Sequence, residues 1–178
     1  MKIDKNSLKK IPNSEDQTCF GCGGKNHDGL QMEFYTDDQF LYSFVTIPIK
    51  MAGWDQAVHG GILSTVLDEI MGWGVIYFCK QIGITKTITV DFVKPVFVDD
   101  ELTVIGKLEK KKSARSVMMS SEIYNSQALL CVRASAEFKA IESKTAVRLG
   151  LVTKEYMRMF DPILNFKFEN SSDKRHTD

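Results

Sequence analysis

The 178-residue sequence has no excess of charge of either sign, because 23 lysines and arginines balance 23 aspartates and glutamates. Proteins that bind nucleic acid or anionic membranes usually concentrate positive charge, so neither kind of partner is expected. The N-terminal residues lack the apolar run of a secretory signal peptide. Ser64, Asp68 and Glu69 interrupt the longest apolar stretch, so no membrane span is expected either. We therefore expect a cytoplasmic protein.

Cysteine is scarce as well, with four residues in the chain. Cys79 and Cys131 lie in apolar segments and are expected to be reduced core residues. Cys19 and Cys22 form a CxxC motif, but a structural zinc site takes about four ligands, and only His27 lies nearby. The flanking residues are typical of a loop rather than of the strand and helix around a redox motif. We interpret the motif as a structural turn and expect neither a metal nor a cofactor.

One long apolar stretch, residues 58–79, predicts a helix that begins at a glycine pair and ends before Gly83. Segments rich in β-branched and aromatic residues predict strands on both sides of it. The predicted strands cover residues 30–35, 40–47, 85–93, 101–108, 116–124 and 129–140. Two strands, one helix and four strands indicate the α+β class, with an antiparallel sheet around a central helix.

The sequence divides into a domain over residues 1–141 and a C-terminal extension over residues 142–178. Within the domain, residues 1–18 form a polar lead and residues 19–30 a glycine-rich loop. Apolar residues scattered among charges predict one or two helices in the extension, for example over residues 153–160. We expect the final residues of this extension, 170–178, to be disordered.

Asp68 lies two turns into the predicted helix, on a face made of small residues. With 3.6 residues per turn, its neighbours on that face are Gly61, Ser64, Thr65 and Gly72. A buried carboxylate is costly unless it has partners or faces a wet cleft. Asp68 is therefore either a structural cap or a catalytic group, and its position among small residues favours catalysis.

The helix begins at His59-Gly60-Gly61, where free backbone N–H groups carry positive partial charge. Because glycine has no Cβ, an acyl group can approach these amides, which predicts an oxyanion hole. At ~1.5 Å per residue, Asp68 lies roughly 10 to 12 Å along the axis from Gly61. A second copy of the chain is therefore expected to bring its Asp68 to Gly60. His59 is predicted to orient the carbonyl, not to act as the base.

These motifs resemble those of hotdog-fold acyl-CoA thioesterases of the PaaI type. The resemblance rests on His59-Gly60-Gly61 with Asp68 nine positions after the histidine. It also rests on CFGCGGKNHDGL over residues 19–30 and TKTITVDFVKP over residues 85–95. It implies the hotdog fold, in which an antiparallel sheet wraps around one long central helix.

The resemblance implies catalytic roles for four residues. Asp68 would be the nucleophile or the general base that activates water, and the amide of Gly60 would polarise the thioester carbonyl with help from His59. Thr85 falls where some members place a hydroxyl that holds the attacking water. One position departs from the family pattern, because Gly53 replaces the asparagine or glutamine that many members have six residues before the histidine.

Further residues are expected to bind the substrate. Asn26 or Gln56 would supply the side-chain amide that many family members have at the position of Gly53. Gly61 would lie beside the thioester carbonyl. Trp54 is expected near the acyl group. Arg115 is expected at the phosphates of coenzyme A, because a guanidinium pairs with phosphate in a bidentate manner.

The implied function is hydrolysis of an acyl- or aryl-CoA thioester to the free acid and coenzyme A. The implied assembly is a homodimer, or a homotetramer built as a dimer of dimers, with acyl-CoA as the substrate. The alternative is a non-catalytic acyl-CoA-binding hotdog module that acts as a ligand sensor or interaction protein. A carboxylate among small residues argues against that alternative, since binding alone does not require it.

Overall fold

The computed structural model describes residues 3–166. One long helix, α1 (Gly60–Cys79), lies against an antiparallel sheet. The strands are β1 (Lys9–Lys10), β2 (Tyr35–Thr36), β3 (Leu41–Thr46), β4 (Ala52–Trp54), β5 (Ala57–Val58), β6 (Ile82–Phe92), β7 (Glu101–Ser113), β8 (Ser116–Tyr124) and β9 (Leu130–Ile141). Seven of them form one sheet in the order β1-β2-β3-β7-β8-β9-β6, and β4 pairs with β5. The predicted arrangement of a sheet around one helix is confirmed.

Helix α1 begins where the sequence predicts. His59 caps it by accepting a hydrogen bond from the Gly61 N–H at Nδ1, 2.9 Å away. The helix ends at Cys79, as the stretch over residues 58–79 predicts, but Gly83 does not mark this end, because Lys80 adopts a left-handed conformation with φ 55° and closes the helix. Gly83 instead lies in β6, where an added Cβ would meet Val75 of α1 at 3.0 Å. Its role is close packing between strand and helix.

The core lies between α1 and the inner face of the sheet. The buried side of α1 includes Leu67, Ile70 and Met71, each of which has no exposed surface. By length and composition alone, with a mean hydropathy of 1.4, this helix could cross a membrane. That corrects the expectation that no stretch reaches such a length. Burial against the sheet is typical of a core helix, so the feature is only weak evidence for a span.

Two strand predictions differ most from the structure, although β6 also begins at Ile82, before its predicted start at residue 85. Residues 109–115 were expected to connect two strands, but β7 and β8 stay paired up to Ser113 and Ser116, which leaves a two-residue turn. Residues 30–35 were expected to form a strand, but only Tyr35–Thr36 belongs to the sheet. The preceding backbone bonds to the 19–30 loop instead, since the Met32 N–H donates to the Gly21 oxygen at 2.9 Å.

The extension contains the short helices α2 (Ser143–Arg148), α3 (Lys154–Arg158) and α4 (Asp161–Leu164). The helix predicted over residues 153–160 therefore appears as α3. The extension is attached to the end of α1, where Lys80 Nζ donates to the backbone oxygens of Ile163 and Phe166 at 3.1 and 3.2 Å. Residues 170–178, where disorder was predicted, lie outside the described part of the chain.

Candidate active site

Asp68 and Thr85 form a hydrogen-bonded pair between α1 and β6. The Thr85 hydroxyl donates to Asp68 Oδ1 at 2.8 Å. Burial raises the pKa of the Asp68 carboxyl above its ordinary value, and the hydrogen bond from Thr85 opposes this rise. The structure thus brings two of the predicted catalytic residues together, around a carboxylate of increased basicity.

A cavity of about 230 Å³ adjoins this pair. Its apolar lining comes from α1, the sheet and the extension, and includes Trp73, Ile82, Phe138, Tyr156 and Phe160. The contribution of the extension was not predicted, because nothing in its sequence indicates that it packs beside Asp68. Trp54, which was expected near the acyl group, is 89% exposed on β4 and does not line this cavity.

The start of α1 presents one backbone donor. His59 Nδ1 accepts the Gly61 N–H, which leaves the His59 proton on Nε2 when the imidazole is neutral. The Gly61 amide is therefore occupied by the cap, whereas the Gly60 N–H has no acceptor within residues 3–166. Gly60 thus offers the amide that an oxyanion hole needs.

Gly60 adjoins a second cavity, of about 310 Å³, together with Phe92 and Lys94. Lys94 gives this cavity a positive charge. Within one chain, Arg115 does not line this cavity, because it lies on the turn between β7 and β8. That hairpin reaches the opposite end of α1, where Lys111 Nζ donates to the Phe78 oxygen at 3.3 Å.

The predicted substitutes for the missing family amide lie outside the Asp68 cavity. Asn26 Nδ2 donates to the Thr18 oxygen at 3.3 Å and thereby orders the 19–30 loop. Gln56 is exposed between β4 and β5, and its role as a substrate-binding residue stays a prediction. At Gly53, an added Cβ would lie 3.1 Å from the Cα of His59, so a larger residue there requires a small shift of the His59 backbone.

The two halves of the site are separated within one chain. Asp68 contacts Thr85 near the start of β6, while an added Cβ on Gly60 would lie 3.3 Å from the ring of Phe92 at the end of that strand. Eight helical residues at ~1.5 Å each put roughly 12 Å between the α-carbons of Gly60 and Asp68 along the axis. The Asp68 carboxylate therefore does not reach a thioester carbonyl that is bound at the Gly60 amide of the same chain.

Glu69 is a polar residue of this region that the sequence reasoning missed. Its carboxylate oxygens lie 3.6 and 3.7 Å from Cys19 Sγ, and Trp73 Nε1 donates to it at 3.2 Å. Burial raises the pKa of Glu69 to about 7. No sequence signal links Glu69 to a loop 50 residues away, because only the tertiary packing brings them together.

Comparison with known proteins supports this description of the fold. Residues 55–132 match the family profile described as the thioesterase superfamily, and this segment includes both Gly60 and Asp68. An uncharacterized protein of Schizosaccharomyces pombe is 28% identical over 93 residues, a match that covers 49% of this chain and 53% of the relative. The chain thus spans about half the length of that curated relative.

Two solved structures share the architecture. A hypothetical thioesterase of Streptococcus pneumoniae, crystallised with coenzyme A, has a TM-score of 0.58 and 21% identity, and the match covers 62% of this chain and 86% of that chain. The PaaI protein from the phenylacetic acid degradation operon of E. coli has a TM-score of 0.55 and 20% identity, over 63% of this chain and 80% of that chain. At these identities the comparisons establish the hotdog fold and leave the site residues as predictions.

Proposed function

We propose that this hotdog-fold chain, whose residues 55–132 match the thioesterase superfamily, is an acyl-CoA thioesterase whose Asp68 drives hydrolysis. The observation that carries the proposal is the hydrogen-bonded Asp68–Thr85 pair beside an apolar cavity of about 230 Å³. Thioester hydrolysis needs a base for water, a donor for the carbonyl oxygen and room for the acyl group. Asp68, the Gly60 amide and the cavity beside Asp68 are proposed to supply these three.

The reaction proceeds by general base catalysis. Asp68 accepts a proton from a water molecule that Thr85 helps to hold, and the water oxygen bonds to the thioester carbon. The carbonyl oxygen gains negative charge and accepts a hydrogen bond from the Gly60 N–H. The C–S bond then breaks, the thiolate of coenzyme A leaves, and the proton held by Asp68 passes to the sulfur. The orienting role of His59 stays a prediction, since His59 lines a different cavity, together with Lys50 and Ile62.

The active unit is a dimer in which each site uses Asp68 of one copy and Gly60 of the other. The exposed edge strand β6 supports this pairing. Within residues 3–166 this strand pairs only with β9, so its second edge is open. Ile88 and Phe92 are 36% and 56% exposed, although they pair with β9 residues that are buried against α1. An apolar inner face beside an open strand edge fits a second copy of the chain.

A twofold pairing of two β6 strands is compatible with the same assembly. Two β6 strands related by a twofold axis pair antiparallel, with the axis crossing between Ile88 and Thr89. Such a pairing sets Thr85 of one copy opposite Phe92 of the other. Because Thr85 contacts Asp68 and Phe92 lies beside Gly60, this pairing brings Asp68 of one copy close to Gly60 of the other. The contact is isologous, as most dimer interfaces are.

The acyl group is placed in the cavity beside Asp68, where Trp73, Tyr156 and Phe160 supply apolar surface. The coenzyme A portion extends from the helix start, where Lys94 is available for a phosphate. The extension thus contributes to the acyl end of the site. Aromatic side chains at this position suit an aryl ring or an acyl chain of limited length.

We expect purified full-length protein to release free thiol from acyl-CoA substrates in a thiol-trapping assay. A panel of straight-chain and aryl thioesters tests the proposal and ranks the substrates. The cavity volume of about 230 Å³ predicts that kcat/KM falls for acyl chains that exceed it. Protein that is thermally stabilised by these ligands but releases no thiol from any of them would be a binding module, contrary to the proposal.

Thr85→Val is expected to move the acid limb of the kcat/KM–pH profile to higher pH and to lower the rate. The reason is that the Thr85 hydrogen bond lowers the pKa of Asp68, and the base acts only when ionised. Removal of the bond raises this pKa further, so more alkaline conditions are needed for ionisation. Thr85→Ser retains the hydroxyl and serves as the control. An unshifted acid limb in Thr85→Val would contradict the role of Thr85.

A further inference from the structure

Three groups that form anions converge on one point between the 19–30 loop and α1. The Sγ atoms of Cys19 and Cys22 and a carboxylate oxygen of Glu69 all lie within 4.8 Å of one another. In a tetrahedral zinc site, bonds of about 2.3 Å to sulfur and 2.0 Å to oxygen place neighbouring ligand atoms about 3.5 to 3.8 Å apart. The separations of Cys19 Sγ from the Glu69 oxygens, 3.6 and 3.7 Å, match this spacing.

Gly21 makes the approach of the carboxylate to the loop possible, because a Cβ at this position would overlap Glu69. The loop is thus shaped to bring two sulfurs and one carboxylate into contact.

Within residues 3–166, no cation forms an ion pair with this cluster. Among the ion pairs of residues 3–166, none involves Glu69. Ionised side chains at Cys19, Cys22 and Glu69 would together carry three negative charges in a partly buried position. Such a concentration of negative charge is costly unless a cation binds. A divalent metal ion offsets two of the three charges.

Gln17 supplies an independent sign of a bound group. It is 1% exposed, its Oε1 lies 3.7 Å from Cys22 Sγ, and its Nε2 has no hydrogen-bond partner. A buried amide donor without an acceptor is rare in folded proteins. Half a turn of the amide directs Nε2–H at Cys22 Sγ, and a metal-bound thiolate is an acceptor for that donor.

Trp73 holds the Glu69 carboxylate in place. Its Nε1 donates to a Glu69 oxygen at 3.2 Å, which orients the carboxylate and leaves the other oxygen for a metal. Metal-ligating carboxylates are commonly held in this way. Trp73 lies one helical turn after Glu69, so the rigid helix sets both groups.

We propose that Cys19, Cys22 and Glu69 bind a zinc ion that attaches the 19–30 loop to α1. Thiolate and carboxylate ligands suit Zn²⁺. A water molecule from the adjoining cavity of about 230 Å³ takes the fourth tetrahedral position. From the sequence, the CxxC motif is interpreted as a structural turn, because a zinc site takes about four ligands and only His27 lies nearby. In the structure the third ligand is Glu69, which lies next to Asp68 on the same helix.

The experiment measures Zn²⁺ binding to the reduced, metal-stripped full-length protein by competition with a chromophoric chelator. We expect one zinc ion per chain and a higher melting temperature with zinc than without it. Cys19→Ser, Cys22→Ser and Glu69→Gln are expected to lose this binding. Cys79→Ser and Cys131→Ser remove cysteines outside the cluster and are the matched controls, which should bind as the wild type does. Trp73→Phe should weaken binding by about 10- to 100-fold.

Cobalt substitution of the wild-type protein keeps the test independent of how the variants fold. Co²⁺ bound by two thiolates gives a strong sulfur-to-metal charge-transfer absorption, and the same absorption should be absent from Cys19→Ser. Three results would overturn the proposal. They are zinc affinity unchanged in folded Glu69→Gln, no cobalt–thiolate absorption in wild-type protein with four titratable thiols, or a Cys19–Cys22 disulfide that persists under reductant.

Discussion

Replacement of Asp68 by asparagine is expected to reduce acyl-CoA hydrolysis by about 10²- to 10⁴-fold, the usual contribution of a general base. Asparagine has nearly the same shape and retains an oxygen that can accept the Thr85 hydrogen bond, which is 2.8 Å long in the native pair. The variant therefore removes the proton acceptor and little else. Thiol release at saturating and limiting acyl-CoA concentrations measures the loss, which should appear in kcat.

A stability measurement separates lost chemistry from lost structure in this variant. Burial raises the folded-state pKa of Asp68 above its ordinary value, so the folded state holds its proton more tightly than the unfolded state does. Stability of the wild type then falls as pH rises through this range. Asparagine has no proton to lose. We therefore expect Asp68→Asn to melt at a higher temperature than the wild type near neutral pH, with the difference vanishing in acid.

A suitable control changes a carboxylate on another part of the sheet. Glu122 lies on β8 and accepts a hydrogen bond from the Tyr124 hydroxyl at 2.7 Å. Glu122→Gln should leave thiol release unchanged. Full activity in correctly folded Asp68→Asn would exclude Asp68 as the base, and the proposed function would then need another acceptor for the proton.

The features that sequence reasoning predicted well are local. Helix α1 follows from apolar periodicity and the glycine pair at its start, and both signals are contained in a single segment. The strand over residues 116–124 follows from alternation in the same way, and its predicted bounds match β8. The lysine-rich continuation of β7 was missed because its side chains are polar on both faces, and only its pairing with β8 keeps it extended.

The features that sequence reasoning missed depend on tertiary packing. Lys80 ends α1 in a conformation for which lysine has no preference, and its side chain bonds to the extension. Glu69 meets the CxxC loop across 50 residues of sequence. Asp68 stood out because it lies among small residues, whereas Glu69 shares its part of α1 with Trp73. Only the packing of the 19–30 loop shows that Glu69 has a polar partner.

The second large effect is expected from Gly60→Pro, which deletes a single backbone donor. Gly60 is the first residue of α1, a position that favours proline because its N–H is not used within the helix. The preceding residue, His59, has φ −62° and ψ 131°, the extended conformation that proline requires before it. The helix should therefore form normally. Loss of one oxyanion-hole donor lowers kcat by about 10²- to 10³-fold.

Gly60→Ala is the matched control for this change. Alanine retains the N–H and adds a Cβ about 3.3 Å from the Phe92 ring, as proline also does. If crowding against Phe92 were responsible for the loss, both variants would fail equally. If the amide stabilises the oxyanion, Gly60→Ala should retain much more activity than Gly60→Pro. Equal thiol release by wild type and Gly60→Pro would exclude the helix start as the oxyanion hole.

The two disabled variants together test whether the site is shared between copies. In a mixed dimer, one site takes Asp68 from the Gly60→Pro copy and the amide from the Asp68→Asn copy, so both of its groups are intact. The other site lacks both. Random exchange of equal amounts gives about half mixed dimers with one intact site in two, and hence about a quarter of wild-type activity. Mixed dimers isolated by two affinity tags should have about half. If Asp68 and Gly60 acted within one chain, every chain in the mixture would lack one group and no activity would return, so the recovery itself decides between the two arrangements.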